Sequence, residues 1–217
     1  MNYSSRSILY GLVPFQINTC YVESLSSYII RLAEAHVVDV SSLLKFMVFP
    51  NLGKQYLFNS IERGGNRFYD GSRSINGLDS NALEIVNVMS ELTNVEGLNN
   101  LTLLSYKLFF SNRDLLKNTL YWCPSCLDEF YLDNPTHVYY PLIWSLKNYK
   151  VCIKHNSYLI KNCSNCKMNI PYIHRKSRVG FCCYCNSKIF GIKDMFLFPD
   201  KKDYYVSNCL EHFFTNV

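Results

Sequence analysis

Seven of the ten cysteines fall into two spaced sets, and one histidine completes the first. Cys123-Pro-Ser-Cys126 is followed, after 25 intervening residues, by Cys152-Ile-Lys-His155. Cys163-Ser-Asn-Cys166 is followed, after 15, by Cys182-Cys183-Tyr184-Cys185. Zinc takes four sulfur or nitrogen donors in a tetrahedron, and a two-residue spacer places two donors along one edge of it. The C-x2-C reading of the second set uses Cys182 and Cys185 and leaves Cys183 spare; pairing Cys183 with Cys185 would need a one-residue spacer. Residues 1–15 show no sustained apolar stretch of a secretory leader, so the pairs argue for metal and against disulfides. Redox dithiols would need a βαβ setting that this sequence does not offer. The expectation is two structural Zn2+ sites, one held by Cys123, Cys126, Cys152 and His155, the other by Cys163, Cys166, Cys182 and Cys185. Each set supplies all four ligands, which leaves no vacancy for a hydrolytic water. Cys20 and Cys209 have no local cysteine partner and read as ordinary thiols.

A chain of 217 residues has the length of one or two domains. At 48 % hydrophobic and 18 % charged residues it can form a packed core, and it is neither disordered nor a coiled coil. No apolar run approaches the roughly 18 to 20 residues of a membrane helix; the longest, at 46–49 and 195–198, are core-sized. No H-E-x-x-H, deaminase pattern, Walker loop or G-x-G-x-x-G occurs, and no acid–base or nucleophile constellation stands out, which argues against an enzyme.

Residues 23–37 read as an amphipathic helix, with Leu25, Tyr28, Ile29, Leu32, Ala33 and His36 on one face and Ser26, Ser27, Arg31 and Glu34 opposite. His36 reads as a half-buried core residue, and the Ser24, Ser26 and Ser27 cluster as helix start and solvation. Asp39 caps a second helix through Phe49, stopped by Pro50 and the 51–53 cluster. The pair makes a helix-turn-helix-like unit, a geometry that serves packing as often as DNA reading. Residues 51–78 hold five of the nine glycines and read as a connector. Asp79 or Ser80 caps a third helix to about Leu92, with Leu83, Ile85 and Val86 inward, and 98–110 reads as a fourth. Trp122, Tyr139, Tyr140, Ile143, Trp144, Leu146 and Val151 form a small core around the first metal set, in which Trp144 packs and does not stack on bases. The expected class is mainly α: a helical N-terminal domain over 1–120, zinc-ribbon or zinc-finger modules over 121–160 and 161–195, and a tail over 196–217.

Charge is uneven along the chain. Residues 1–120 are neutral, while 121–217 carry the whole net charge of +5. No acidic residue occurs between Asp133 and Asp194, a stretch with ten Lys and Arg. Two zinc–thiolate sites would offset about three of those charges. The remainder suggests an anionic partner, nucleic acid first among them, with Lys147, Lys150, Arg175, Lys176 and Arg178 as candidate contacts. The competing reading is a solvated face that compensates thiolates.

These features together resemble the TniQ family, the target-selection proteins of Tn-type transposons that include TnsD and the short TniQ of CRISPR-associated transposons. The resemblance rests on Pro14 and the helix from Glu23-Ser-Leu-Ser-Ser-Tyr to His36. It rests also on Tyr121-Trp-Cys-Pro-Ser-Cys-Leu127, Trp144-Ser-Leu146 and Cys152-Ile-Lys-His155, and on Cys163–Cys166 with Ser177–Cys185. It covers roughly residues 14–190. Departures are Asn186 in place of a glycine, Ser164 and Asn165 in place of a proline-bearing C-P-x-C, and Tyr140-Pro-Leu-Ile where an arginine is common. The chain also ends 32 residues beyond Cys185, without the long C-terminal region of larger TnsD-type members, as a short TniQ or a truncated chain would; 207–214 reads as the start of a helix cut short. The resemblance implies a non-enzymatic adaptor in transposition that couples a target-recognition complex (a guide RNA–Cas effector or a DNA site) to the AAA+ ATPase TnsC. It implies a bacterial cytoplasmic setting, at the nucleoid when active. The alternatives are a sequence-specific zinc-ribbon DNA-binding regulator and a zinc enzyme with an open coordination position.

Overall fold

The computed structural model describes residues 6–53, 71–191 and 198–216. It is helix-rich with very little strand. Helix α1 spans Leu25–Ala35, with Ser24 as N-cap accepting from Ser27 N–H. Its expected apolar face is buried, and so are Ser26 and Ser27 on the face expected to meet solvent. They are buried because they are hydrogen-bonded. Ser26 N–H donates to Asn76 Oδ1 and Asn76 Nδ2 to Ser26 Oγ, both at 2.9 Å. Ser27 Oγ donates to Glu23 Oε1 and accepts from Tyr140 N–H, both at 3.0 Å. A buried hydroxyl with both partners costs little, so the helix can be enclosed on nearly all sides. His36 is half-buried as expected, accepting from Tyr10 N–H at 3.0 Å and stacked on the Tyr10 ring.

Asp39 stands at the N-cap of α2 (Val40–Leu43), which runs through a π-helical turn at Leu44–Val48 into α3 (Phe49–Leu52). Pro50 does not stop this helix. It has no N–H to give Phe46, and the preceding turn has opened so that Phe49 N–H donates to Leu44 O. Termination falls to Gly53, which is left-handed at φ 62°. The exposed face of this helix carries Phe46, Pro50 and Asn51. Of the connector, 54–70 lies outside the described residues, Gly64 and Gly65 included; Ser72–Asn76 is a 3-10 turn that buries Ser72, Ile75 and Asn76.

Helix α4 (Ser80–Thr93) is capped by Asp79, whose Oδ1 accepts from Asn81 and Ala82 N–H. Ala82, Ile85, Val86, Met89 and Leu92 point inward, but Leu83 is 48 % exposed, because the helical period turns it off that stripe. The helix expected over 98–110 is two 3-10 turns, Leu98–Leu101 and Leu103–Tyr106. Thr102 is extended between them; its hydroxyl donates to Asn99 O and accepts from Leu104 N–H, offering the backbone an alternative to helix.

Helix α5 (Pro124–Asp133) begins with Cys123 as N-cap and Pro124 at its start. The antiparallel hairpin β1 (Val151–Cys152) and β2 (Ser157–Tyr158) follows, with Cys152 opposite Ser157. The tail carries the helix expected from 207: α6 (Lys201–Asn216) starts before Ser207 and packs back on the molecule. Phe213 and Phe214 meet Tyr106 and Phe110, and Glu211 Oε1 accepts from Tyr21 OH and Tyr149 OH.

The aromatic residues around the first metal set do not form a core of their own. One contiguous cluster of buried residues runs from Leu9 through α1 and α4 to Trp122, Trp144, Ile173 and Phe214. Backbone bonds tie the parts together: Ser24 N–H to Tyr140 O, Leu142 N–H to Val22 O, and Leu120 N–H to Ile170 O. Trp122 Nε1 donates to Ile189 O across the two cysteine sets. Trp144 is packed and buried, as expected. Among the described residues no helix is long and apolar enough to cross a membrane.

Candidate metal centres

The first set is assembled from a helix start and a hairpin. Cys123 and Cys126 lie on the N-cap and first turn of α5, Cys152 in β1, and His155 in the β1–β2 turn, which Asn156 closes at φ 47°. The donor atoms lie within 4.8 Å of one another. Cys126 Sγ and Cys152 Sγ are 3.5 Å apart; His155 Nδ1 is 3.5, 3.2 and 3.5 Å from the sulfurs of Cys123, Cys126 and Cys152. A tetrahedral zinc with bonds of about 2.3 Å to sulfur and about 2.0 Å to nitrogen has edges of about 3.5 to 3.8 Å. A disulfide, at about 2.05 Å, is far from these separations. The donors therefore fit a zinc ion.

Electrostatics point the same way. Hydrogen bonds from Cys126 and Cys152 pull the Cys123 thiol down, while the contact with Cys123 pushes both Cys126 and Cys152 up. Three crowded thiols cannot all ionise without a cation between them. His155 Nε2 faces Glu129 Oε1 at 3.1 Å, which leaves Nδ1 as the atom turned to the sulfurs. Glu129 pays some burial, yet Lys154 and His155 hold its carboxyl below the usual range. The sequence offered no spacing signal for Glu129, which lies in α5 far from His155 in the chain.

The second set is two matching knuckles. In one, Lys167 N–H donates to Cys163 O and Cys163 N–H to Met168 O; in the other, Asn186 N–H donates to Cys182 O and Cys182 N–H to Ser187 O. Lys167 and Asn186 hold the same left-handed position, φ 61° and 57°. That is the conformation for which a glycine would be preferred, and asparagine tolerates it better than most residues. Cys163 and Cys185 sulfurs lie 3.7 Å apart, those of Cys166 and Cys182 3.6 Å, and all four fall within 4.8 Å. These edges also fit a tetrahedral zinc. Cys183 stays outside the cluster, its thiol buried and pushed up to about 12. Cys20 is buried and Cys209 exposed, both as free thiols.

The structure separates the five candidate nucleic-acid contacts. Lys147 pairs with Asp114, Lys150 with Asp203 at 2.8 Å, and Arg178 with Glu34 at 3.4 Å. Arg178 also lies over the Phe181 ring. Arg175 and Lys176 are exposed, with no ion pair among the described residues. The one-sign stretch from 134 to 193 is thus partly neutralised by acids from elsewhere in the chain; Lys193 itself lies outside the described residues.

Helix α1, Trp122, the first donor set and Trp144 stand in one arrangement, and the sequence carrying them, residues 14–159, matches the TniQ family profile. The chain belongs to the TniQ family. The match takes in the whole first donor set and ends before Cys163, so the second set lies beyond it and the likeness is shorter than residues 14–190. TniQ membership supports a transposition-associated adaptor role, and proteins of this family are generally non-catalytic. No curated protein matches the chain.

Proposed function

We propose that this TniQ protein is a non-enzymatic adaptor in transposition target-site selection, linking a target-recognition complex, either a guide RNA–Cas effector or a DNA site, to the AAA+ ATPase TnsC. Membership of the TniQ family carries the reading. Two Zn2+ ions would be held by Cys123, Cys126, Cys152 and His155, and by Cys163, Cys166, Cys182 and Cys185. Bound zinc supplies a structural cross-link and stabilises the fold. The chain's own part is to hold those donors on α5, the hairpin and the two knuckles, and to bury Trp122 between the sets. A core continuous from α1 to Phe214 supports the idea that a load on one face reaches the other.

In this reading the helical segment 1–120 meets the ATPase, the modules 121–160 and 161–195 meet nucleic acid or its complex, and 196–217 braces both. The α1–α2 pair serves as packing scaffold, since α1 is enclosed and the exposed face of the second helix carries Phe46, Pro50 and Asn51. Among the candidate contacts, Arg175 and Lys176 have no ion pair among the described residues, and Lys147, Lys150 and Arg178 would exchange theirs. The protein would act at the bacterial nucleoid. The test is recruitment to TnsC filaments assembled with nucleotide and DNA. Co-sedimentation with the filaments is the expected result; its absence with metal-loaded, folded protein would reject the adaptor reading.

A further inference from the structure

Lys117 is 6 % exposed and has no acidic partner among the described residues. Its Nζ donates to Trp144 O at 2.9 Å and to Tyr149 O, and lies 4.7 Å from the centre of the Tyr121 ring. Burial holds its ammonium well below the usual range, and the like charge of Lys150 adds to this. A buried ammonium without a counter-charge is costly unless something supplies one.

Lys117 lines a cleft of about 520 Å³ between the 114–121 segment and the β1–β2 hairpin. Lys147, Lys150 and Lys161 stand around the same cleft, with Tyr121 and Tyr158 half-buried in its wall. Among the described residues two carboxylates answer these four lysines: Asp114 pairs with Lys147, and Asp203 with Lys150. Lys161 is exposed and has no ion pair among the described residues. An excess of positive charge at a concave site beside aromatic rings is the chemistry that tracks a single-stranded backbone and stacks its bases. A cleft of about 520 Å³ is on the scale of one or two nucleotides.

We propose that the cleft is a phosphodiester-binding site that seats one or two nucleotides of a single-stranded nucleic acid, with Lys117 at its floor and Lys147, Lys150 and Lys161 around it. The inference rests on the nucleic-acid contact in the function proposed above, and it narrows that contact to this cleft: of the five candidates Lys147 and Lys150 line it, and Arg175, Lys176 and Arg178 do not. The test uses the full, metal-loaded chain and fluorescent oligo(U), oligo(dT) and duplex DNA across a salt series. Lys147→Glu with Lys161→Glu is compared with Arg175→Glu with Lys176→Glu, which changes net charge equally. The cleft pair should weaken single-strand binding at least about ten-fold and flatten the log–log salt slope by about 1.4, two contacts' worth. The loop pair should change affinity by less than about two-fold. Equal losses from both pairs, a larger loss from the loop pair, or tighter binding to duplex would overturn the inference while leaving recruitment to TnsC filaments to judge the adaptor reading separately. Tripolyphosphate separates free phosphate from a nucleic-acid chain. It should raise the melting temperature of the wild type but not of Lys117→Met, a difference independent of the variant's own stability. Stabilisation by tripolyphosphate with no oligonucleotide binding would also overturn the inference.

Discussion

Val37 adopts φ 57°, a left-handed conformation that costs a β-branched residue about 1 to 2 kcal/mol. It closes α1 in the manner usual for glycine: Val38 N–H donates to Ala33 O and Val37 N–H to Glu34 O, each at 3.0 Å. Its side chain is 91 % exposed, so nothing in the packing repays the strain. Val37→Gly should raise unfolding stability by about 1 kcal/mol, as a shift in denaturation midpoint without a change in slope. Glu23 is the opposite case, a carboxyl enclosed beneath α1. Burial pushes it up to about 7, against the pull of Arg31, Ser27 and Phe15 N–H. A raised acid contributes stability that is complete below its unfolded value and is lost as pH rises through about 7. The stability difference between wild type and Glu23→Gln should therefore fall by about 3 kcal/mol between about pH 4 and about pH 8. Denaturation series across that range would show it, and a flat difference would mean that Glu23 titrates in the folded protein as it does in the unfolded chain. Spacing alone picks out the eight residues whose donor atoms the structure brings together, and it leaves aside Cys183, which lies outside both clusters. Ser26, Ser27 and Glu129 were not legible, because their partners lie far away in the chain.

At the scale of elements, local rules worked where one stripe or one cap decides the outcome. Helices α1 and α4 follow from their apolar periodicity and from Ser24 and Asp79. They failed where one side chain reshapes the backbone: Thr102 divides 98–106 into two turns, and Pro50 is absorbed by a π turn. Helix α6 was the element least readable in advance. Its apolar side is a few residues, and its place depends on Tyr106, Phe110 and Tyr149 already standing together. Phe214→Ala should cost up to about 3 kcal/mol, at the low end for a buried phenylalanine because a terminal helix can undock alone. Hydrogen exchange should quicken across 201–216 and stay slow in α1. Equal quickening in both would mean that α6 and the core open together.

For the whole molecule, the continuous core changes what metal removal should do. Two self-contained modules would unfold on chelation and leave the helical half intact. Here Trp122 joins both donor sets to the core that also holds α1, and Trp144 lies beside them in it. Zinc binding to small modules is worth on the order of 10 kcal/mol, comparable to the total stability of a chain this size. The purified protein should contain two zinc equivalents, and chelation should abolish tryptophan burial and helical signal in one transition. Helical signal surviving complete zinc loss would show the halves to be independent. The sequence by itself determined the donor sets, the principal helices and the family, because spacing, capping and periodicity act over a few residues. Only the tertiary structure decided that the basic stretch is answered by Glu34, Asp114, Glu129 and Asp203, that the serines of α1 are interior, and that Lys117 is buried without a counter-charge among the described residues. Ion pairing and burial depend on which distant segments meet, and that is a property of the packed core.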